Sequence, residues 1–257
     1  MEFVFVGAGR LATNMAKALS AKGHSVTAVY SRTFESAQAL ASLVDAQPTD
    51  DIRQLPLEAD AFVIAVKDSA IADVLMPLRE GRERQVFFHT SGSMPLNILA
   101  VQEHHGVIYP MQTFSKERSV DFSQVPFFIE GSDDATLALA RQTALLLSQH
   151  VEERSSEDRR YLHLAAVFAC NFTNHCYALA AQVLEKHGMT FDVLLPLIAE
   201  TAAKAAEMHP REAQTGPAVR FDQNTIDAHL NLLTDSPMAQ EVYRLLSQSI
   251  YQFNENK

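Results

Sequence analysis

The sequence predicts an α/β fold: a Rossmann domain with a doubly wound, mostly parallel sheet, followed by an all-helical domain. Short β-type runs alternate with helical stretches over residues 1–153, a glycine-rich turn joins the first run to a helix, and β-type patterning stops after Ser155. Strand–helix alternation is typical of parallel sheets with right-handed crossovers. We therefore expect two domains, at residues 1–153 and 154–257.

Six segments of the N-terminal part are predicted to form strands, because each is short and rich in β-branched or aromatic residues. They are Glu2–Val6, Ser25–Tyr30, Ala61–Val66, Gln85–His89, Val107–Tyr109 and Pro126–Glu130. Ala61–Val66 is apolar on both faces, as expected of a central parallel strand. Helical patterns occupy most of the intervals, beginning with Leu11–Lys22.

The C-terminal part shows helical periodicity only. Ser156–Lys186 is predicted to form one long amphipathic helix, because its apolar residues recur at helical spacing. Gly188 supplies the left-handed residue that ends this helix. The remaining predicted helices are Phe191–Met208, Gln223–Leu233 and Pro237–Phe253.

Composition and charge exclude several classes of partner. The net charge of -10 disfavours nucleic acid and anionic membranes, since both require a basic surface. No apolar stretch reaches the length of a membrane span, and the N-terminus carries no targeting pattern. Cys170 and Cys176 lie too far apart along a helix for a disulfide. We expect a reduced, cytoplasmic protein that acts on a small molecule.

The segment after the first strand fits the dinucleotide pattern G-x-G-x-x-A. Gly7 would form the tight turn, Gly9 would let a pyrophosphate approach the backbone, and Ala12 would permit close helix–strand packing. The helix that begins at Arg10 and Leu11 would direct its N–H groups at the phosphates. The alternative interpretation is a glycine turn in a domain that binds no nucleotide.

The end of the second strand indicates which dinucleotide binds. NAD sites usually carry Asp or Glu there, whereas this chain has Ser31, Arg32 and Thr33 and no carboxylate before Glu35. A hydroxyl and a guanidinium suit a 2′-phosphate, so NADP is the predicted cofactor. The alternative is an exposed arginine in a polar loop.

A loop follows the central strand, and Val66 and Asp68 in it are candidate cofactor residues. Ligands of open α/β sheets lie beyond the carboxyl ends of the strands, so this loop should border the nicotinamide. Asp68 can equally be the cap of a helix predicted over Ser69–Leu78.

Two later strand ends supply candidate substrate residues. They are Thr90, Ser91, Gly92, Tyr109 and Gln112. The first three precede a predicted helix and could form a pocket for a carboxylate or phosphate. They could equally form a serine-capped turn. The segment after Tyr109 either lines the active site or links the domains.

The predicted long helix carries a polar stripe. His163 and Asn174 are eleven residues apart, which places them near one face of an α-helix, and Asn171 lies close to that face. His163 could donate a proton while Asn171 orients a carbonyl or imine, and Asn174 is a candidate substrate-binding residue. His163 could instead be a hydrogen-bonded core or interface histidine. His89 is a further catalytic candidate, and no metal-binding spacing emerges.

A set of motifs covers nearly the whole chain: Gly7–Ala12, His89–Gly92, Tyr109–Phe114, Asn171–Phe172, Gln214–Pro217, Arg220 and Asp222. On these motifs the chain resembles the DUF2520 family, Rossmann-like proteins with a helical C-terminal domain that are named as NADP oxidoreductases. More distantly it is similar to pyrroline-5-carboxylate reductase, ketopantoate reductase, and the hydroxyisobutyrate and 6-phosphogluconate dehydrogenases.

The resemblance implies a helical domain like that of 6-phosphogluconate dehydrogenase. It also implies a homodimer built through these domains, with active sites in the interdomain cleft. The motif after residue 213 adds Thr215, Gly216 and Arg220 as candidate substrate residues.

One departure bears on catalysis. The hydroxyacid dehydrogenases carry a lysine four residues before an asparagine of the first long helix. Here Val167 stands four residues before Asn171, and Cys170 stands four before Asn174. The leading hypothesis is an NADPH-dependent reductase of a small carbonyl or imine that carries an acidic group. The alternatives are a catalytically lost NADP(H)-binding sensor or scaffold, and reduction of a deazaflavin by NADP.

Overall fold

The computed structural model describes residues 1–116 and 118–255. The chain divides into two compact units, Met1–Asn171 and Phe172–Lys257. The first unit therefore extends past residue 153 and includes the beginning of the predicted long helix.

One sheet of eight strands forms the centre of the first unit, in the order β3-β2-β1-β4-β5-β6-β7-β8. The strands are β1 Glu2–Val6, β2 Ser25–Tyr30, β3 Gln47–Thr49, β4 Ala61–Ile64, β5 Val86–His89, β6 His104–Pro110, β7 Phe127–Gly131 and β8 Val151–Glu153. The first six run parallel, β7 pairs antiparallel with β6, and β8 runs parallel to β7. The predicted α/β fold with a doubly wound, mostly parallel sheet is confirmed.

The helices of this unit are α1 Arg10–Ala21, α2 Phe34–Ala41, α3 Ile71–Arg79, α4 Asp134–Leu145 and α5 Ser156–Ala166. The helix expected shortly after His89 is only a 3₁₀ turn, Leu96–Leu99. The loop before it uses most of the connection, and little chain remains before β6 begins at His104. That prediction was wrong.

The core lies on both faces of the sheet, because side chains of a strand alternate in direction. Phe3 and Phe5 of β1 belong to one buried cluster, together with residues of α1 and α2. Val4 and Val6 belong to the cluster on the opposite face, together with residues of α3. All four residues of β4 are buried, which matches the expected central strand.

The second unit begins in a π-helical turn, Val167–Phe172, that interrupts the predicted helix Ser156–Lys186. A π turn contains one residue more than an α turn, and the apolar repeat of the sequence does not reveal it. The face predicted to be common to His163 and Asn174 assumed an uninterrupted α-helix, so that prediction loses its basis. The helices that follow are α6 Thr173–Glu185, α7 Leu195–Glu207, α8 Pro210–Ala213, α9 Gln223–Leu232 and α10 Pro237–Glu255.

The second unit has almost no core of its own. Among its described residues, only Ala218, Ile226 and Ser247 are buried. Large apolar side chains of several of its helices are exposed instead, including Leu197, Leu232, Met238, Leu245 and Phe253. Helices gain most of their stability from packing an apolar face, yet these side chains remain largely exposed in the described chain. None of the described helices is long and apolar enough to cross a membrane.

Candidate functional site

Two cavities lie in the first unit near the carboxyl ends of the parallel strands, where open α/β sheets bind ligands. The first has a volume of about 410 Å³, and its walls come from the turn after β1, the end of β2 and the segment after β4. Five of the predicted cofactor residues line it: Gly7, Gly9, Ser31, Arg32 and Val66.

Gly7 is required by the fold itself. Its φ is +118°, in the region that favours glycine, and its N–H donates to the Tyr30 carbonyl at 2.8 Å. A Cβ at this position would lie 2.5 Å from the carbonyl oxygen of Ala65. The tight turn expected from the sequence is therefore present.

Gly9 has a different reason to be glycine. Its backbone is extended and exposed, and the nearest protein atom to an added Cβ would be the Ala65 carbonyl oxygen at 3.9 Å. The protein leaves this space open. The first turn of α1 carries no acidic residue, and no side chain caps it. Because Gly9 has no side chain, a pyrophosphate can approach the free N–H groups at the N-terminus of α1. This end of the cavity therefore fits the pyrophosphate of NADP.

The ribose end of the cavity also fits NADP. Ser31 and Arg32 line the wall just after β2, and Arg32 is exposed to the cavity and solvent. Among the described residues, no Asp or Glu lines this cavity to bind a 2′-hydroxyl, whereas a guanidinium pairs well with a phosphate. Thr33 does not line the cavity itself, but its hydroxyl donates to the hydroxyl of Ser36, which does.

The other predicted cofactor residues support the turn rather than line the cavity. Arg10 and Leu11 open α1, and Ala12 is fully buried between α1 and the sheet, as close packing requires. Asp68 does not cap a helix. Its carboxylate accepts from the Ser93 hydroxyl and so joins the loops that follow β4 and β5.

The second cavity has a volume of about 320 Å³ and lies between the end of β6 and the stretch from α5 into the π-helical turn. Its polar lining residues are Tyr109, Gln112, Thr113, His163, Cys170 and Asn171. Its apolar lining residues are Met111, Leu162, Ala165, Ala166, Val167 and Ala169. A mainly apolar wall with a few polar groups is typical of sites for small organic molecules.

Tyr109 and His163 form the polar centre of this cavity. The Tyr109 hydroxyl and His163 Nδ1 are 3.2 Å apart, within hydrogen-bond distance. Burial raises the pKa of Tyr109 to about 12, so the phenol keeps its proton at neutral pH.

Gly92 packs directly against this pair. A Cβ on Gly92 would lie 2.7 Å from His163 Nδ1 and 2.7 Å from Cζ of Tyr109. The loop after β5 can approach the two rings only because Gly92 has no side chain. The role predicted for it was contact with substrate; the structure gives it a steric role in holding the pair.

Arg159 holds the same loop and was missed by the sequence analysis. It is fully buried, and Nη1 bonds the Glu130 carboxylate at 2.6 Å. Its Nε donates to the Ser91 carbonyl at 3.2 Å and its Nη2 to the Met94 carbonyl at 2.6 Å. Arg159 lies one turn before His163 in α5, so it fixes both the loop and the helix face that carries His163. That four-residue spacing was the available signal.

His89 is poorly suited to the acid role predicted for it. Its ring is fully buried, and Nδ1 accepts from the Ser91 N–H at 3.2 Å. Burial, reinforced by the charge of Arg159, lowers the pKa of His89 to about 3. The ring is therefore neutral at neutral pH and cannot serve as a proton donor of the imidazolium type.

The hydroxyls of Thr90 and Ser91, in the same loop, already have hydrogen-bond partners in the protein. Thr90 is buried, and its hydroxyl donates to the Ile64 carbonyl at 3.4 Å. The Ser91 hydroxyl accepts from the N–H groups of Ser93 and Met94, at 3.2 and 3.0 Å. This is the serine-capped turn that was the alternative to a carboxylate pocket.

The remaining predicted residues belong to the second unit. Asn174 is exposed in α6, and Thr215 and Arg220 are exposed around a 3₁₀ turn, Pro217–Arg220. Gly216 has a φ of +108°, which explains the glycine before this turn. Their part in substrate binding stays a prediction.

Comparisons with known proteins agree with this geometry. Residues 2–88 match the family "NADP oxidoreductase coenzyme F420-dependent", and residues 125–250 match "Domain of unknown function (DUF2520)". The predicted resemblance to DUF2520 is confirmed. A search of curated proteins finds no significant match.

Among solved structures, BF3122 from Bacteroides fragilis, a "putative NADP oxidoreductase", is 51% identical over 98% of both chains, with a TM-score of 0.95. An imine reductase from Myxococcus stipitatus in complex with NADP+ is 17% identical, covers 99% of this chain and 93% of its own, and has a TM-score of 0.66. A 1-pyrroline-5-carboxylate reductase from Streptococcus pyogenes is 15% identical over 98% of both chains, with a TM-score of 0.63. The last two show a common fold.

Proposed function

This chain belongs to the NADP oxidoreductase family that includes its Bacteroides fragilis relative, and we propose that it uses NADPH to reduce a small imine or carbonyl compound. The observation that carries the proposal is the Tyr109–His163 pair in the wall of an apolar cavity. Reduction of C=N or C=O requires a hydride at carbon and a proton at nitrogen or oxygen. The cofactor supplies the hydride, and the protein must orient the substrate and provide the proton.

A chain of contacts connects the two cavities. Lys67 and Ser69 line the cofactor cavity, and Asp68 between them bonds Ser93. The residue before Ser93 is Gly92, which touches Tyr109 and His163 at the second cavity. This continuity supports a substrate held beside the nicotinamide.

Asn171 lines the same cavity as His163, and its amide could orient the carbonyl or imine nitrogen. The wall around these groups is mainly apolar, which favours an uncharged substrate over the acid-bearing one that the sequence led us to expect. Imine reductases and a pyrroline carboxylate reductase have this fold, and they supply matched probes for the two possibilities.

The substrate proposal is tested by following NADPH oxidation with a neutral cyclic imine (methylpyrroline), its acid-bearing counterpart (pyrroline-5-carboxylate) and a ketone panel. We expect turnover of the neutral imine in preference to the acid. Tight NADPH binding without oxidation by any compound would contradict the reductase proposal. It would favour the sensor or scaffold alternative, which the missing lysine at Val167 and Cys170 motivates.

Cofactor selectivity gives a direct prediction for Arg32. We expect NADPH to bind at least tenfold more tightly than NADH, a difference of about 1.4 kcal/mol. Arg32→Ala should remove most of this preference by weakening NADPH binding more than NADH binding, because NADH has no 2′-phosphate for the guanidinium to pair with. Nicotinamide fluorescence measures both affinities in a chain without tryptophan.

Arg84→Ala is the matched control, since Arg84 is exposed just before β5, at the opposite end of the strands. It should leave both affinities unchanged. Equal weakening of NADPH and NADH by Arg32→Ala would mean that Arg32 does not read the phosphate.

We further propose that the chain forms a homodimer through its second unit, whose exposed apolar helix faces need a partner. Light scattering should give about twice the 28.5 kDa mass of one chain. Leu232→Lys combined with Met238→Lys should yield monomers, because charges would replace two of the most exposed apolar side chains. Leu57→Lys, an exposed site of the first unit, is the control. A monomeric wild-type protein would exclude the dimer.

A further inference from the structure

The Tyr109–His163 pair contains two groups able to transfer a proton, and they are not equivalent. Tyr109 lies at the end of β6 and is 9% exposed, with its hydroxyl on the cavity wall. His163 lies on α5 and is half-buried. Both side chains line the cavity, but the tyrosine is almost wholly shielded from solvent, whereas the histidine remains partly accessible to it.

The protonation of Tyr109 suits a donor. Its pKa is raised by burial, so the phenol holds its proton across the physiological range. The titratable and charged groups that act on it are His163 and Arg159 from α5 and Cys170 from the π-helical turn. The positive charge of Arg159 opposes the rise in pKa, and so favours the tyrosinate that remains after transfer.

His163 is held so that it can restore that proton. Gly92 packs against its ring on one side, and Arg159 fixes the preceding turn of α5. Its Nδ1 faces the Tyr109 hydroxyl, while the ring remains partly accessible to water. A histidine between a buried hydroxyl and solvent is suited to relay protons.

We propose that Tyr109, and not His163, gives the proton to the substrate, and that His163 returns a proton to Tyr109 from solvent. This inference rests on the proposed reductase function and deepens it. As hydride from the cofactor forms the new C–H bond, the C=N π electrons move to nitrogen, the O–H bond of Tyr109 breaks and an N–H bond forms. The tyrosinate then takes the proton of His163 Nδ1, and the histidine regains one from water. The products are the amine and oxidised cofactor.

The test compares Tyr109→Phe, His163→Ala and the wild-type protein with NADPH and methylpyrroline as the probe. Tyr109→Phe should lower kcat about a hundredfold or more, because the donor is lost, while NADPH affinity stays within about twofold. His163→Ala should lower kcat about tenfold. Added imidazole should restore the His163→Ala rate but not the Tyr109→Phe rate, since imidazole replaces the relay and not the donor.

Tyr161→Phe is the matched control, because Tyr161 is an exposed tyrosine of α5, the helix that carries His163. This variant should retain wild-type turnover. Unchanged NADPH affinity in both variants shows that they are folded. A solvent deuterium isotope effect on kcat is expected in the wild-type protein and in His163→Ala, because Tyr109 transfers an exchangeable proton in both; its absence from His163→Ala would contradict the assignment of Tyr109 as donor.

The outcomes separate the two proposals. If the wild-type protein reduces methylpyrroline and Tyr109→Phe keeps more than half of its kcat, the donor assignment is overturned while the reductase function stands. If His163→Ala loses more of the wild-type kcat than Tyr109→Phe does, and added imidazole does not restore it, then His163 is the donor and the assignment of Tyr109 is overturned. If the wild-type protein reduces no imine or carbonyl probe, the reductase proposal fails and this inference fails with it.

Discussion

Arg159→Met is expected to destabilise the protein by about 3 to 5 kcal/mol, because it leaves the Glu130 carboxylate without its buried partner. The change also removes the donors to the carbonyls of Ser91 and Met94, which no other side chain replaces among the bonds described for this loop. In a chain of this length the loss corresponds to a fall in Tm of roughly 10 °C. Differential scanning calorimetry measures it.

Arg154→Met is the matched control. Arg154 pairs with Glu152 at 2.5 Å, but both side chains are about half exposed, and such pairs contribute less than about 1 kcal/mol. The double variant Arg159→Met with Glu130→Leu should recover part of the lost stability, since it removes both charges from the site. Equal effects of Arg159→Met and Arg154→Met would contradict a stabilising role for the buried network.

Arg159→Met should also lower catalytic turnover at temperatures where the variant is folded. When Arg159 no longer bonds the loop carbonyls, the loop that carries Gly92 should no longer be held in contact with Tyr109 and His163. An error of about 1 Å in the position of reacting groups can cost a hundredfold in rate.

Gly7→Ala is expected to lower the folding stability, whereas Gly9→Ala is expected to lower the affinity for NADPH. At Gly7 a methyl group meets the Ala65 carbonyl and the backbone holds a positive φ, so we expect a loss of roughly 3 to 5 kcal/mol in folding stability. At Gly9 the backbone is extended and the space is open, so stability should change by less than about 1 kcal/mol. NADPH affinity should nevertheless fall at least tenfold in Gly9→Ala, because the methyl group occupies the approach of the pyrophosphate.

Urea unfolding and NADPH titration of the two variants separate these effects. Gly23→Ala is the control for a glycine at positive φ with no neighbour around its Cβ: it should lose some stability and leave NADPH affinity unaltered. Wild-type NADPH affinity in Gly9→Ala would place the phosphates elsewhere than at the N-terminus of α1.

The parts of the fold that the sequence predicted best are those where pattern and burial coincide. β1 and β2 begin and end where the short apolar runs do, because their side chains pack on both faces of the sheet. β3 and β8 were not predicted. Gln47–Thr49 contains a proline and two polar residues, and Val151–Glu153 ends in two glutamates. Such edge strands are held by backbone pairing, which leaves no apolar signal in the sequence.

The sequence predicted those residues of the candidate site that lie at or just after the carboxyl ends of strands. The turn at Gly7 and Gly9, the segment at Arg32 and the tyrosine at the end of β6 all lie where the parallel-sheet rule places ligands. The contacts of Arg159 were not predictable from local pattern, because two of its partners are backbone carbonyls far away in the sequence, and only its spacing before His163 was a local signal. The burial of His89 and the π-helical turn likewise depend on tertiary packing.

The uneven distribution of buried residues has a consequence for synthesis of the chain. Both large apolar clusters of the first unit are complete by Leu147, whereas the helices after Asn171 add almost nothing to any core. Translation proceeds at about 5 to 20 residues per second, so the first unit has several seconds to fold before the last helix leaves the ribosome. Of the helices of the first unit α5 emerges last, so Arg159 can bind the loop carbonyls of Ser91 and Met94 only after the strands before it have been synthesised. The residues of the nucleotide cavity are thus in place before α5 brings His163 to the second cavity.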